Sequence, residues 1–192
     1  MKLTNEQLTD LVLSKLPKLS KNTLVGANIG ADCAWINMGD SLMVTSTDPI
    51  TAGGSKSGTL AIHVSCNDIA ACGVRPTGIL LAIVAPPSTT EDELSSIVSD
   101  ASNEASSLGV DIVGGHTEIS ESVNTFVVMS TAFGTISKNH PVPKGVIKPG
   151  DKLILTKTCG LEGSYIAANE HKDKLIGIVD DSLIEEAINY NS

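Results

Sequence analysis

The sequence predicts an α+β fold in which a mixed sheet is covered by helices on one face. The first observation is the order of the periodic segments up to residue 137: helix, two strands, helix, strand, helix, two strands. The second is composition: 41% of the residues are hydrophobic but only five are aromatic, so the core must be aliphatic, as suits helices packed closely on a sheet. The third is the seventeen glycines, which indicate tight turns and close backbone approaches.

Each element of the first part of the chain has a local signal. Thr4 and Gln7 form a capping-box pattern ahead of apolar residues at helical spacing. Asp48 and Pro49 are expected to stop the second strand, because proline cannot donate to a ladder. The predicted elements are a helix ending near Pro17, strands over residues 32–37 and 42–47, a loop over residues 51–55 and a helix over residues 57–72.

The next part of the chain predicts three strands and one helix. Residues 78–85 are nearly all apolar, which is typical of a strand buried on both faces. Gly114 and Gly115 are expected to end the short strand before them. The predicted elements are a strand over residues 78–85, a helix over residues 90–108, a short strand over residues 110–113 and a long strand over residues 124–136.

Three segments describe the domain organisation. Residues 1–137 form one α/β domain, and residues 138–149 are proline-rich and predict a linker. Residues 150–192 begin with a predicted strand over residues 151–156 and continue as helix from Gly160. They are too few to bury a core of their own, so we expect the first piece of a second, incomplete domain.

Charge and cysteine content exclude several classes of function. The net charge is −9, so no basic stripe exists to follow the phosphates of a nucleic acid. No apolar run is long enough to span a membrane, and the polar start lacks the apolar region of a signal peptide. The four cysteines show no paired or zinc-binding spacing and are expected to be small core residues. These features predict a reduced protein located in the cytoplasm.

Three aspartates stand where apolar elements meet polar or glycine-rich stretches. Asp32 and Asp48 flank the predicted strand pair, so they can reach the same end of the sheet, and Asp68 lies in an otherwise apolar helix beside Asn67. Carboxylates from several elements suit Mg²⁺ bound to phosphates. The structural alternatives stay open at this point: Asp48 as a turn former, Asp32 as a strand start, and Asp68 in a solvated stripe with His63.

A second candidate site is the sequence Gly-Gly-His-Thr-Glu at residues 114–118. Paired glycines after a buried strand let the backbone approach a ligand closely, and His116, Thr117 and Glu118 add donors, acceptors and charge. The alternative is a structural turn with a surface histidine. The chain contains no phosphate-binding sequence of the GxxxxGK[ST] type, so any phosphate contact must use another device.

Four short segments of the chain resemble the aminoimidazole ribonucleotide synthetase (PurM-like) superfamily, and they occur in the same order. That superfamily includes the hydrogenase maturation factor HypE, thiamine monophosphate kinase and selenophosphate synthetase. The segments are residues 30–34 (GADCA), 46–48 (STD), 66–76 (CNDIAACGVRP) and 114–118 (GGHTE). The resemblance covers about residues 25–137, and residues 151–163 are similar to the opening of the second domain in that superfamily.

The resemblance implies an N-terminal ATP-binding domain that forms a homodimer through its sheet, with ATP and Mg²⁺ bound near the dimer interface. It implies transfer of the γ-phosphoryl group, driven by positioning and charge neutralisation. The implied metal ligands are Asp32, Asp48 and Asp68. The implied nucleotide contacts are Asn67, Thr47, Gly114, Gly115 and Thr117.

Two departures from the superfamily pattern concern the site. Ala31 stands where a second acidic residue is usual, and His116 stands where an acid is common. A histidine is a poor Mg²⁺ ligand, so His116 is assigned the catalytic role, as a phosphate contact or proton carrier.

The sequence GGHTE of residues 114–118 favours a HypE-like protein. Such a protein would carry out ATP-dependent dehydration of a thiocarboxamide alongside other hydrogenase maturation proteins. The alternatives are a phosphotransferase similar to thiamine monophosphate kinase and, in another class, a non-catalytic dimerisation or nucleotide-sensing module. The 192-residue chain alone is expected to lack part of the full activity.

Overall fold

The computed structural model describes residues 2–142 and 148–189, and its centre is a six-stranded mixed sheet. The strand order is β1-β2-β3-β6-β4-β5, with β4 and β5 parallel and the other neighbours antiparallel. The strands are β1 (Thr23–Val25), β2 (Ala34–Asn37), β3 (Ser41–Ile50), β4 (Gly78–Ala85), β5 (Asp111–Ile119) and β6 (Val127–Ser137).

Two long helices cover one face of this sheet. The helices are α1 (Asn5–Leu11), α2 (Ser57–Ala71), α3 (Glu91–Leu108), α4 (Leu161–Glu170), α5 (Lys172–Leu175) and α6 (Asp181–Ile188). Helix α2 packs against β3 and β6, and α3 packs against α2. Within the described residues, no helix combines the length and the apolar character needed to cross a membrane. The predicted α+β class with a mixed sheet is therefore confirmed.

The core lies between the helices and the sheet, and it is aliphatic as expected. On β4 the side chains of Ile79, Leu81 and Ile83 are buried, whereas Leu80 is exposed on the opposite face. Helix α2 reaches the sheet closely because its inner residues are small. The Ser130 hydroxyl of β6 donates to the carbonyl oxygen of Ala61 at 2.5 Å. This hydrogen bond fixes the position of α2 relative to β6.

Helix ends follow the signals in the sequence. Thr4 and Thr90 each form a capping box, with Gln7 and Glu93 respectively, and so begin α1 and α3. Gly109 ends α3 in the left-handed conformation, at φ 66°. The predicted helix over residues 57–72 and strand over residues 78–85 are observed with almost the same bounds.

Strand β3 continues beyond its predicted end. It passes through Asp48 and Pro49 to Ile50, with Pro49 opposite Met129 of β6. The expectation that Asp48 and Pro49 stop the strand is therefore wrong. The physical reason is that β2 pairs with β3 only as far as Thr45. Beyond that point β3 has a ladder on one side only, where a proline is tolerated.

Strand β5 also runs further than predicted, and this changes the description of a candidate site. Residues 114–118 are part of the strand rather than a loop after it, because the parallel neighbour β4 supplies partners as far as Ile119. Gly115 is required here, since a Cβ atom would collide with the carbonyl oxygen of Leu81. The paired glycines therefore allow close strand packing at a sheet edge.

The segment after the proposed linker differs from expectation in one respect. Residues 151–156 form no strand, and the side chains of Leu153 and Ile154 are 100% and 85% exposed. The reason is that these residues have no strand partner in the described part of the chain. Part of the linker, residues 143–147, lies outside the described residues. The division at residues 138–149 and the incomplete second domain stay predictions.

We expect Gly134→Ala to destabilise the fold. An added Cβ would collide with the carbonyl oxygen of Arg75, which is backbone and cannot rotate away. Overpacking of this kind costs about 1–3 kcal/mol of unfolding free energy. The measurement is the urea midpoint of unfolding.

Gly163→Ala is the matched control. Gly163 lies in α4 with open space around its missing Cβ, so alanine there should leave the midpoint unchanged or raise it. Equal midpoints for Gly134→Ala and wild type would contradict the packing described here.

Candidate functional site

Asp68 of α2 is held against strand β3 by a hydroxyl group. The Ser46 hydroxyl donates to Asp68 Oδ2 at 2.7 Å and lies 3.1 Å from the carbonyl oxygen of Asp32. Ser46 is buried, and Asp68 is half-buried beside it. The helix, the strand and the segment before β2 therefore meet at one point. This arrangement accounts for a charge within an apolar helix.

Asp48 lies at the same place, two residues further along the inner face of β3. The pKa of its carboxyl group is raised, first by burial, then by a hydrogen bond and charge repulsion from Asp68. The charges of Asp32 and Glu162 raise the same pKa further. The structure thus brings together the three aspartates that the sequence singled out. It also adds Glu162, which the sequence reasoning missed.

A large cavity opens beside these acids. Its volume is about 940 Å³, and the whole backbone stretch of residues 24–33 lines it. Asp68 contributes a carboxylate, and the exposed side chains of Leu24 and Ile29 contribute apolar surface. A cavity of this size accommodates a ligand as large as a nucleotide.

Two buried cysteines, Cys33 in the cavity wall and Cys66 in α2, are not reactive nucleophiles. Burial raises the pKa of the Cys33 thiol to about 12, helped by a hydrogen bond with Cys72 and by the charges of Cys72, Asp68 and Asp32. Burial also raises the pKa of Cys66 to about 11. Both groups are neutral thiols at pH 7, in agreement with their expected role as core residues. Cys159 is exposed, so the same expectation is wrong for it.

The other predicted site residues lie elsewhere. His116 is at the far edge of the sheet, where its Nε2 is 3.3 Å from Glu118 Oε2 and both side chains are exposed. The strand register places Asp48 opposite Ser130, which is one strand from Leu81 and two from Gly115. Three strand spacings separate Asp48 from Gly115, about 14 Å in all. His116 faces the side of the sheet without α2, as does Leu80.

Thr47 and Asn67 adjoin the acids in sequence but are oriented differently. Thr47 is exposed, donates its hydroxyl to the carbonyl oxygen of Ser130 at 3.1 Å and lies 2.8 Å from the Thr131 hydroxyl. It therefore sits on the face opposite Asp48. Asn67 is exposed on α2, next to Asp68. Gly114 and Thr117 belong to the exposed strand β5.

The acid cluster is not a finished metal site. In the residues that the structure describes, no group of three or more His, Cys, Asp or Glu side chains is arranged to hold a metal ion. What the structure does show is that burial, followed by the neighbouring carboxylates, raises the pKa of Asp48. Hard oxygen donors in this state are suited to a divalent cation.

A protein-family model matches most of the sheet domain. The model for the AIR synthase related protein, N-terminal domain, matches residues 30–136, which is more than half of the chain. The matched range contains α2, α3 and strands β2 to β6 almost completely. It also contains all three aspartates.

Curated relatives span several activities. A putative hydrogenase expression/formation protein of Methanocaldococcus jannaschii is 26% identical over 86% of this chain and 51% of its own length. A thiamine-monophosphate kinase of Methanospirillum hungatei is 33% identical over 67% of this chain and 46% of its own length. A selenide, water dikinase of Carboxydothermus hydrogenoformans is 31% identical over 78% of this chain and 44% of its own length. The chain therefore spans about half the length of the curated relatives it matches.

A solved structure supports the fold. The crystal structure of E. coli HypE, a hydrogenase maturation protein, matches with a TM-score of 0.60 and 23% identity. The match covers 68% of this chain and 43% of that one. The mixed sheet with two covering helices is therefore an established architecture.

We expect Asp48→Asn to stabilise the chain at neutral pH in a buffer without divalent cations. The raised pKa means that the folded chain holds a proton at a pH where the unfolded chain has lost it. The free energy of unfolding therefore falls as pH rises from the ordinary aspartate pKa through the raised one, and stays lower above it. Asparagine at position 48 carries no charge to be buried or repelled. The melting temperature of Asp48→Asn should therefore exceed that of wild type at pH 7, and the difference should disappear as pH falls to the ordinary aspartate pKa.

The control is Asp10→Asn, which changes the same charge at an exposed position and should leave the melting temperature unchanged. A lower melting temperature for Asp48→Asn at pH 7 would mean that stabilising contacts outweigh repulsion at Asp48.

Proposed function

The chain belongs to the AIR synthase-related family, and from this premise we propose that it is the ATP-binding part of a HypE-like enzyme of hydrogenase maturation. The reaction proposed is ATP-dependent dehydration of a thiocarboxamide, by transfer of the γ-phosphoryl group. The observation that carries the proposal is the meeting of Asp32, Asp48 and Asp68 beside a cavity large enough for a nucleotide. All three residues lie within the range that matches the family.

Asp32, Asp48 and Asp68 would hold Mg²⁺ in this proposal. When bound, the ion would supply neutralisation of the charge on the triphosphate. The carboxylates fit a cation because burial and the neighbouring negative charges both disfavour the ionised form of Asp48, as its raised pKa indicates. Ser46 orients Asp68 by donating to its Oδ2 atom.

The nucleotide would lie in the cavity beside the acids. Residues 24–33 offer backbone groups along one wall, including Gly30 at φ 75°, a conformation that favours glycine. Leu24 and Ile29 offer exposed apolar surface for a base. Asn67 would add a polar contact at the rim, where its exposed side chain adjoins Asp68.

A homodimer is part of the proposal, because the remaining site residues cannot reach the acids within one chain. His116, Gly114, Gly115 and Thr117 lie three strands away from Asp48, at an exposed edge. The face without α2 carries apolar side chains that are partly in solvent, such as Leu80 at 46% and Met129 at 38% exposure. Pairing of two such faces would bury them. It would also bring residues 114–118 and Thr47 toward a second chain, with His116 contacting a phosphate or carrying a proton.

The HypE-like assignment is preferred over two other enzyme classes for a specific reason. Of the three relatives named above, the putative hydrogenase expression/formation protein aligns over the largest share of this chain, 86%. The thiamine-monophosphate kinase is more identical, at 33%, but aligns over 67% of the chain, so this activity is the second candidate. The selenide, water dikinase aligns over 78% and is the third. A non-catalytic nucleotide-sensing module would keep the acids but show no ATP turnover.

The proposal includes a cytoplasmic location and contacts with other hydrogenase maturation proteins. The free thiols of all four cysteines support a reducing compartment. The proposed contacts with other maturation proteins are supported by the Methanocaldococcus jannaschii relative, which is named as a putative hydrogenase expression/formation protein.

Titration calorimetry with ATP and Mg²⁺ tests the nucleotide site. Wild type should bind only when Mg²⁺ is present, and Asp68→Asn should weaken that binding at least tenfold, because it removes a charge from the acid cluster. The fold should survive, since the asparagine oxygen can still accept from Ser46.

Asp10→Asn serves again as the charge-matched control and should bind like wild type. Equal affinity of Asp68→Asn and wild type would overturn the proposed site. Binding without turnover, in the full-length protein supplied with substrate, would favour the sensing module.

Light scattering tests the dimer. Wild type should be dimeric, and Leu80→Glu should give monomers, because the buried apolar contact gains a charge. Val98→Glu is the control, since Val98 on α3 is 41% exposed on the opposite side of the molecule. A monomeric wild type, or a dimeric Leu80→Glu variant, would exclude this interface.

A further inference from the structure

The N-terminal end of α2 carries a second polar site, far from Asp68. Ser57 begins the helix and Asp68 lies eleven residues later, about 16 Å along the axis at 1.5 Å per residue. This second site comprises the loop of Gly53 and Gly54, Ser57, and Glu170 from the end of α4. It is separate from the nucleotide cavity described above.

A carboxylate from this chain already occupies the site. The backbone N–H of Gly53 donates to Glu170 Oε1. Gly53 has φ 93°, which favours glycine, and an added Cβ would lie 3.5 Å from the backbone nitrogen of Ser57. The N–H group that binds the carboxylate therefore sits directly beside the first turn of α2.

Ser57 provides the second observation. Its side chain is 1% exposed, and in the described residues its hydroxyl has no hydrogen-bond partner. A buried hydroxyl without a partner is unfavourable, so its retention calls for a reason. Ser57 and Glu170 line the same cavity of about 200 Å³, together with Thr51 and Thr125.

The electrostatics of the helix end favour an anion. The N-cap residue of α2 is Lys56, and no side chain caps the first turn. The ammonium group of Lys56 instead pairs with Asp100 at 2.9 Å. A 3-10 turn, Gly54–Lys56, leads directly into the helix, and the N–H groups of Lys56 and Ser57 donate to the carbonyl oxygens of Gly53 and Gly54. The positive end of the helix dipole therefore lies at this turn, beside the Gly53 N–H group, where it favours negatively charged oxygen.

We propose that this is an oxyanion-binding site for the phosphate group of a small ligand, and that Glu170 occupies it until such a ligand displaces the carboxylate. A phosphate presents more acceptor oxygens than a carboxylate, so it can accept from Gly53 N–H and the Ser57 hydroxyl together. Displacement of Glu170 would also remove one contact between α4 and the sheet domain, while Tyr165 stays packed in the core.

Amide NMR titration with inorganic phosphate tests the proposal on the whole chain. The resonances of Gly53, Gly54 and Gly58 should shift in a saturable manner. Glu170→Ala should tighten phosphate binding at least tenfold, because the competing carboxylate is gone. Adding Ser57→Ala to that variant should weaken binding again by about tenfold, the usual effect of losing one hydrogen bond to a charged group.

Two further variants keep the test decisive. Glu170→Gln preserves the size of the side chain without its charge, so it should bind phosphate more tightly than wild type and serves if the alanine variant fails to fold. Asp173→Asn removes an exposed charge nearby and should behave like wild type.

Absence of saturable shifts in both Glu170 variants up to tens of millimolar phosphate would overturn the proposal. So would equal affinity with and without the Ser57 hydroxyl. Shifts near Asp68 on adding ATP and Mg²⁺ report separately on the proposed function, so failure of one does not imply failure of the other.

Discussion

The position of α2 on the sheet is the constraint on which the rest of the structure depends. A buried set of hydroxyl contacts fixes it: Ser65 Oγ lies 2.6 Å from Ser130 Oγ, and Ser130 donates back to the Ala61 carbonyl oxygen. One helical turn of slip would move Asp68 by about 5.4 Å and break its contact with Ser46. The same seating aligns Gly58 with α3, where any side chain would strike the backbone oxygen of Ile97. Packing and site geometry are therefore set by one interface.

This seating forces the acids together at a cost to stability. Asp48 and Asp68 approach closely enough for a hydrogen bond, and Glu162 adds a further negative charge from beyond the linker region. Such a cluster does not stabilise the fold, since burial and then repulsion raise the pKa of Asp48 and lower stability at neutral pH. The aliphatic core supplies the compensating free energy through residues such as Ile69 and Val44. Carboxyl groups whose ionised form is disfavoured in this way are typical of functional sites rather than of structural ones.

The sequence was informative wherever the signal is local. The capping-box pattern at Thr4 marked a helix start, because the hydrogen bonds involved span three residues, and the helix predicted from Thr90 also begins there. Strand ends were misjudged because they depend on partners distant in sequence: β6 extends β3 through Pro49, and β4 extends β5 through the paired glycines. The reverse error occurred at residues 151–156, where a strand pattern has no partner in the described chain. Glu162 was missed as a site residue because it lies more than a hundred residues after Asp48 in sequence and approaches it only through folding.

The sheet itself explains why the candidate residues fall into two groups. Side chains alternate across a strand, so Asp48 faces α2 while its neighbour Thr47 faces the opposite side. Thr47, Thr131, Leu80 and Gly114 form one row across that opposite face, with His116 in the next row. No rotation of a side chain can carry His116 through a close-packed sheet to Asp48. Asp48 and His116 therefore belong to two separate surfaces of the chain, and the proposed pairing of the faces without α2 would bury His116 and Thr47 while leaving the acids on the α2 side.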